Sequence, residues 1–516
     1  MTSAENRQSN IPAIMISVMI SLLLAALDGT IVGTAMPKII GELHGMAQYS
    51  WPFTAYMLFS TLSIVVFGRL SDLYGRKPVY LFGILFFLFS SALCGLSRSM
   101  LQLIIFRGLQ GIGGGVLFSS SFIIVGELFP PRERGKYMGL LASVYGFASV
   151  LGPAVGGLIA DHLSWRWIFY VNIPLGGVAC LLVFLFIPRW RPVAAGRKID
   201  YWGVLFLILA LLPFFLGLTW AGTRNEWLSG QTLGLLLLSL LMFLLFFRAE
   251  RKSAEPFLPL GLFRNSIYAI SIVAMFLSSA VMFCGVIYIP LFAQAVLGAS
   301  ATNSGVVTTP MMLGLSLSII VSGRILSRTG RYKPLAMTSL GLSGVSLFLL
   351  IRMDLTTPMP FLMGYAALFG IGSGIIIPSL NIAVQNAFPQ RQLAVATSSM
   401  QFFRNMGATV GTSFFGYVMN ATMTGGLKTI NVGQLPTQMS KVFDNPRILS
   451  SQETIFQVRT HLPDNLRPLF NSLLNRMRMI VAHSIHDVFL LGLIIIIVSF
   501  IVILGLKEIP LGHEKE

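Results

Sequence analysis

The sequence predicts an all-α membrane protein: fourteen transmembrane helices, forming two pseudo-symmetric six-helix bundles with two further helices inserted between them. Three observations lead there. Apolar runs of about 20 residues, the span of a bilayer, recur along the whole chain. Only 11% of the 516 residues are charged and 55% are hydrophobic, with a mean hydropathy of +0.78, whereas a soluble domain carries about 25% charged residues. Finally, four short motifs of the first half return in the second half in the same order.

The apolar runs lie at 12–37, 52–68, 78–97, 101–126, 137–160, 166–188, 200–220, 231–247, 267–294, 304–323, 334–351, 359–388, 394–420 and 481–506. The first follows a polar start and lacks an A-x-A-like cleavage site, so it reads as a retained span rather than a signal peptide. An even number of spans puts both termini on one side. The formal charge of +17 superficially suits a nucleic-acid binder. The basic residues are strung between apolar runs, however, which is loop anchoring, and no nucleic-acid partner is expected. Most of the 36 Lys and Arg fall in the tails and alternate loops of one face, among them Arg69, Arg76, Lys77, Arg132, Arg134, Lys136, Arg324, Arg328, Arg331 and Lys333. The short loops of the other face hold Lys38, Arg98, Arg166, Arg224 and Arg352. The first face is therefore expected to be cytoplasmic, with both termini. Residues 421–480 form a long loop on the opposite side, with an amphipathic run, LRPLFNSLLNRMRM; long loops are weakly bound by the charge rule. Cys94, Cys180 and Cys284 all sit inside apolar runs and indicate neither a disulfide framework nor a metal site. No cofactor is expected.

The repeat defines the domains. GRLSDLYGR at 68–76 matches GRILSRTGR at 323–331, an offset of 255. GIGGG at 111–115 matches GIGSG at 370–374, and FPPRER at 129–134 matches FPQRQL at 388–393, both at 259. Gly152 and Gly157 match Gly411 and Gly416 at the same offset. This divides the chain into a bundle over 1–190, two inserted helices over 191–255, and a second bundle over 256–516. Duplicated bundles of this kind place a substrate path between the halves and work by rocking. The chain has no H-E-x-x-H, G-x-S-x-G or Walker A pattern, so an enzyme is not expected. Without an ATP site, uphill transport must draw on an ion gradient. A channel is the remaining alternative, disfavoured by the duplicated halves.

At these motifs the sequence resembles the major facilitator superfamily, and within it the fourteen-span drug:proton antiporter branch of bacterial multidrug efflux pumps. LDGTIVGTAMPKI (27–39) is similar to that branch's first-span motif, and GRLSDLYGRKP to the loop signature between spans two and three. RGLQGIGGG (107–115) resembles the fourth-span motif, and GPAVGG (152–157) the fifth-span motif associated with antiport. The resemblance covers essentially the whole chain. It implies export of hydrophobic, often cationic drugs in exchange for protons across the cytoplasmic membrane, an antibiotic-resistance function, by a protein working as a monomer. A dedicated exporter of one antibiotic, metabolite or lipid is the alternative.

Individual residues carry the expected chemistry. Asp28 lies nine residues before Pro37, about 13 Å below the outer end of span one at 1.5 Å per residue. A charge there costs about 2.5–3.5 kcal/mol on insertion scales, so it needs a reason. Burial favours the neutral acid, as a proton carrier requires. Arg107 lies at a similar depth in span four, about 9 Å in, and is expected to tune Asp28. Arg404 lies near the middle of span thirteen with no obvious acidic partner and is expected to face the cavity. Asp28, Trp51, Tyr56, Gln110, Tyr145 and Arg404 form the expected substrate site. In the hinge, Gly68 and Gly75 permit close approach or a turn, while Asp72 can pair with Arg76 or cap a neighbouring helix, with Glu127 as third member of a latch. The second copy has Ser327 in place of Asp72, so the latch is expected in the first half only. Gly152, Pro153, Gly156 and Gly157 permit close packing and are expected at the surface across which the halves rock.

Overall fold

The computed structural model describes residues 11–43, 51–188, 201–224, 227–252, 260–299, 301–389, 392–427, 460 and 467–509. Among them the regular structure is helical throughout. The helices are α1 (Ile11–Leu43), α2 (Trp51–Tyr74), α3 (Arg76–Gly95), α4 (Met100–Leu128), α5 (Pro131–His162), α6 (Trp167–Phe186, interrupted at Val171), α7 (Tyr201–Arg224) and α8 (Gly230–Lys252). They continue as α9 (Ser266–Leu291, running on into a π-helical turn Phe292–Val296), α10 (Ala301–Thr329), α11 (Tyr332–Ile351), α12 (Met359–Ala387), α13 (Leu393–Leu427) and α14 (Arg467–Leu504). Eleven helices among the described residues are long and apolar enough to cross a membrane. Of the rest, α7 offers a shorter apolar stretch, Leu205–Leu218, and α5 and α13 carry the second repeat's small and polar residues. Each apolar run of the sequence falls on one helix. The amphipathic run before the last span proves to be the first turns of α14, continuous with it. Most of the expected 421–480 loop lies outside the described residues.

Local chemistry sets several helix ends. The Ser99 hydroxyl caps α4 by accepting from Gln102 N at 3.3 Å, and Asn265 caps α9 by accepting from Ile267 N at 3.0 Å. Pro131 opens α5, where its missing N–H costs nothing. The breaks between α2 and α3 and between α10 and α11 both need a positive φ, supplied by Gly75 (φ 93°) and Gly330 (φ 70°), which are equivalent positions of the repeat.

Packing repeats as the sequence does. In the first half α4 lies against α2 and α3, and α1 against α5 and α6; in the second half α12 lies against α10 and α11, and α9 against α13 and α14. One apolar core draws its residues from Leu262 to Leu506, a second from Ile14 to Phe246 plus Phe402. The halves meet along two seams, α5 on α10 and α2 on α13. These are interchanged by the repeat, since α10 is the copy of α2 and α13 the copy of α5. The inserted pair lies on the second seam: α7 packs on both α2 and α13, Trp51 meets Trp220 at 6.4 Å between ring centroids, and Trp227 meets Tyr417 at 5.6 Å.

The repeated glycines are the reason the helices cross so closely. A Cβ on Gly111 would overlap the Tyr56 carbonyl of α2, and one on Gly115 the Ser60 carbonyl; on α12, Gly370 and Gly374 stand in the same way against the Met311 and Leu315 carbonyls of α10. Gly113 and Gly372 point the other way, and a Cβ there would lie 2.7 Å from the Phe87 backbone of α3 and 2.6 Å from the Ser343 backbone of α11. Three alternate glycines thus let one helix touch two neighbours at backbone distance, twice over.

The structure corrects the expectation for the α5 glycines. Gly152 does not face the other half: a Cβ there would strike Thr30 on α1, whose hydroxyl donates to the Ala148 carbonyl at 3.1 Å. Its counterpart Gly411 faces Ala280 on α9, and Gly407, one turn earlier, faces Phe276. The glycines that α5 turns toward α10 come earlier, Gly139 against Ile320 and Gly146 against Ser316. The physical reason is helical phase. Seven residues bring Gly146 back to the face of Gly139, whereas six more carry Gly152 about 240° around the axis. Gly156 is buried; the surroundings of Pro153 and Gly157 lie outside the described residues.

Gly115→Ala is therefore expected to lower thermal stability in detergent by about 1–3 kcal/mol through overpacking. Gly177→Ala, with nothing within 4 Å of the added carbon, is expected to stay within about 0.5 kcal/mol of the parent. Equal melting of the two variants would contradict this account of the repeat.

Candidate functional site

Asp28 stands midway along α1 and is fully buried, as are Arg107, Gln110 and Asn172 around it. Arg107 Nη1 lies 2.5 Å from Asp28 Oδ2. Gln110 Nε2 and Asn172 Nδ2 donate to Oδ1 at 2.9 and 3.0 Å. Three donors face the carboxylate, so the cradle is the complement of a charged rather than a protonated acid. Arg107 also donates to Gln110 Oε1 at 2.8 Å, and its guanidinium lies 4.3 Å from the centroid of the Tyr56 ring, a cation–π contact from α2. Its Nε has no partner among the described residues. Asn172 is itself held by Ser91 Oγ at 3.0 Å, and Ser91 donates to the Phe169 carbonyl at 2.9 Å.

A separate cavity of about 160 Å³ lies between the halves. Its wall is mostly apolar, from α4, α5, α9, α10, α12 and α13, with Tyr145, Ser316, Asn381 and Arg404 as its polar groups. The repeat explains its position. Phe122 and Asn381 are equivalent at the offset of 259, and so are Tyr145 and Arg404, so the cavity straddles the pseudo-twofold axis. Arg404 stacks over Phe118 at 5.7 Å and donates to Gln401 Oε1 at 3.4 Å, while Gln401 Nε2 donates to Asn381 Oδ1 at 3.0 Å.

The six residues expected to form one substrate site are thus divided. Arg404 and Tyr145 line the cavity. Asp28, Tyr56 and Gln110 join Arg107 in the buried cluster and do not line it. Trp51 belongs to neither and packs at a helix end on Trp220. Sequence reasoning passed over Asn172, Ser91, Asn381 and Gln401. A signal existed: an amide in the middle of an apolar run (VNIPLGG, PSLNIAV) is costly in a membrane unless it has a partner.

The hinge forms one ionic cluster. Arg76 Nη2 bridges Asp72 Oδ1 at 2.5 Å and Glu127 Oε1 at 2.6 Å, its Nε donates to Glu127 Oε1 at 3.1 Å, and its Nη1 donates to Ser71 Oγ at 2.5 Å. Arg69 stands 4.0 Å from Asp72 Oδ2. Asp72 and Arg76 are almost wholly buried. The cluster joins α2, α3 and α4 of the same half, and the contact with the other half comes from Gly68, where a Cβ would lie 2.6 Å from Ser398 on α13. In the second half, Ser327 is half-buried and Arg331 exposed, and Asn386 stands where Glu127 does. There the segment after α14 closes the same corner: the Tyr332 hydroxyl donates to the Lys507 carbonyl at 2.7 Å and accepts from Ile509 N at 2.8 Å, and Asn386 Nδ2 reaches the Ile509 carbonyl at 3.4 Å. A second clamp ties the opposite end of α1. Glu42 accepts from Trp165 Nε1 at 2.6 Å and Arg166 Nη1 at 2.5 Å. The Arg166 and Trp165 hydrogen bonds hold its carboxyl below the usual carboxylate range.

The family model of the Major Facilitator Superfamily matches residues 18–412. The chain belongs to the major facilitator superfamily. The multidrug transporter protein MdtP of Bacillus subtilis is 36% identical over 99% of this chain and 96% of its own length. Multidrug resistance protein 3 of the same organism is 34% identical over 98% of this chain and 96% of its own. Among solved structures, the human organic anion transporter MFSD10 superposes with a TM-score of 0.61 at 16% identity, covering 94% of this chain and 99% of that one; at that identity the likeness is one of fold. The superfamily comprises transporters, not enzymes, and this chain is a multi-pass membrane member of it.

The two corners of the superfamily fold differ in what their arginine does. Arg76→Ala takes the close cation from the buried Asp72 and the half-buried Glu127, and is expected to cost about 3 kcal/mol, read as thermal unfolding in micelles. The equivalent Arg331→Ala, at an exposed site, is expected to change stability by no more than about 0.5 kcal/mol. Similar losses would remove the asymmetry between the corners.

Proposed function

We propose that this chain is a proton-coupled antiporter that exports hydrophobic drugs across the bacterial cytoplasmic membrane by alternating access. In this reading all fourteen long helices cross the bilayer, both termini are cytoplasmic, and two six-helix bundles rock as a monomer. The observation that carries it is the Asp28–Arg107–Gln110–Asn172 cluster, an ionisable group buried in one half and separate from the cavity between the halves. The names of the Bacillus relatives support drugs as the cargo.

The geometry supplies a route from proton to cavity. When Asp28 takes a proton it loses its charge, and the three donors that face it lose their acceptor. Arg107 and Gln110 sit on α4, the helix that also presents Phe118 and Phe122 toward Arg404 and the cavity. On the other side, Thr30 lies two residues beyond Asp28 and packs into Gly152 of α5, the helix that brings Tyr145 to the cavity and Gly146 to the α10 seam. The carboxylate is thus linked to the cavity wall and to a seam by contiguous packing, the physical condition for coupling. The hinge cluster holds α2, α3 and α4 as one body, so that Gly68 and Gly126 meet Ser398, Gln385 and Leu393 of the other half as a unit. In this reading those contacts close the cytoplasmic mouth. Because Asp28 is outside the cavity wall, its part is to carry the proton rather than to bind a cationic drug.

Asp28→Asn keeps the shape of the side chain and removes the titration. In inverted membrane vesicles it is expected to abolish uphill, proton-driven export, a fall of 100-fold or more (roughly the scale set by losing proton transfer). Energy-independent exchange of labelled substrate across the same membrane is expected to persist. Undiminished uphill export would remove Asp28 as the carrier, and loss of both activities would point to a structural role.

A further inference from the structure

The cavity between the halves contains one charged side chain, and it is positive. Arg404 reaches it from α13, and among the described residues no carboxylate lines it. Among the described residues no acid pairs with Arg404, whose contacts are the long hydrogen bond to Gln401 and the face of Phe118. Three of the other arginines of low exposure show the contrast. Arg76 and Arg107 each have a carboxylate at 2.5 Å, and Arg134 donates to the Phe129 carbonyl at 2.9 Å. A cation in an apolar wall without a counter-ion is an expensive feature, and one that an incoming anion would relieve.

The wall is also polarised across the pseudo-twofold axis. On the first half the equivalent positions hold Phe122 and Tyr145; on the second they hold Asn381 and Arg404. At these two pairs the first half offers aromatic rings and the second an amide and a guanidinium, while Phe283 and the aliphatic side chains of α9, α10 and α12 complete the apolar wall. Resting on the transport reading above, we infer that the cavity receives amphipathic organic anions: an aromatic or aliphatic body against Phe122 and Tyr145, and an acidic group (carboxylate, sulfonate or enolate) on Arg404, with Asn381 as second donor. Arg404 is the residue that sets this preference, since a guanidinium presents paired N–H groups to a planar acid. At about 160 Å³ the cavity is smaller than the roughly 300–1,000 Å³ of a drug site, so it widens as the halves part to admit such a compound. Charge adds a consequence: export of an anion in exchange for an entering proton moves charge in the direction that an inside-negative potential favours, so voltage alone accelerates export of the anion more than of a neutral analogue.

The test is binding of three probes to the full chain in nanodiscs of zwitterionic lipid, with empty discs subtracted. Anilinonaphthalene sulfonate is the anion, phenylnaphthylamine the neutral compound with the same aromatic frame, and tetraphenylphosphonium the cation. The parent is expected to bind the sulfonate, and Arg404→Gln to weaken it about tenfold, the scale of one hydrogen bond to a charged group, with the neutral probe changed by less than about threefold. Arg404→Lys is expected to recover part of the sulfonate affinity, which a merely structural arginine would not predict. Displacement of the sulfonate by dodecanoate would assign the natural cargo to fatty-acid-like anions, and failure to displace it to aromatic acids. Equal loss of the neutral and anionic probes in Arg404→Gln would overturn the inference, as would tighter binding of the cation than of the sulfonate by the parent. Neither result touches the Asp28 experiment, which reads coupling to the proton with any exported compound.

Discussion

The structure turns on one ion pair held away from water. Asp28 and Arg107 are both inside the first half, 2.5 Å apart, and neither is tolerable alone. A lone carboxylate or guanidinium at that depth carries a desolvation penalty that only a partner and further hydrogen bonds offset. The neighbours answer that demand in turn. Gln110 and Asn172 complete the carboxylate, Tyr56 covers the guanidinium, and Ser91 holds Asn172. Five helices are thereby tied to one charge. A change in that charge reaches all of them, as the proposed proton coupling requires.

Around this pair the two halves share a scaffold but not a chemistry. The glycine crossings of α4 on α2 and α3 reappear in α12 on α10 and α11, because both copies must bring backbones to the same separation. The polar groups do not reappear. At the positions equivalent to Arg107 and Gln110 the second half has Ala366 and Phe369, and Phe369 is buried in its core. The hinge shows the same division: an Asp72–Arg76–Glu127 network in the first half, and a backbone strap from the end of α14 onto Tyr332 in the second. The two copies share the glycine crossings, while the ion pairs of the buried cluster and the hinge belong to the first. The cavity lies where the copies meet, with Phe122 and Tyr145 from the first and Asn381 and Arg404 at the equivalent positions of the second.

Much of this was legible in the chain. The apolar runs located the helices, since a bilayer-spanning segment must satisfy its own backbone and so cannot be other than long and apolar. The offsets of 255 and 259 located the halves. Asp28, Arg107 and Arg404 stood out because charge in oil is rare, and Asp72, Arg76 and Glu127 because an acid and two glycines exceed what loop anchoring needs. Less visible were Asn172, Ser91, Asn381 and Gln401, uncharged groups whose cost appears only when their surroundings are known. The α5 glycines were misplaced for a similar reason. A small-residue motif announces a close approach and leaves the partner unnamed.

What the sequence determined by itself was therefore one-dimensional: which segments are helical and apolar, which repeat, and where a charge sits in depth along its own helix. The rise per residue and the cost of burying charge act within a single segment, and they need no neighbour to be read. Which residues meet was decided by tertiary structure alone. Helical phase turned Gly146 to α10 and Gly152 to α1, and the packing of α6 on α1 carried Asn172 to Asp28. The packing of α5 on α10 and of α13 on α4 set Arg404 and Tyr145 in one cavity that excludes Asp28. Rotation about a helix axis and the choice of neighbour are properties of packing, shared among segments hundreds of residues apart, and no single stretch of the chain contains them.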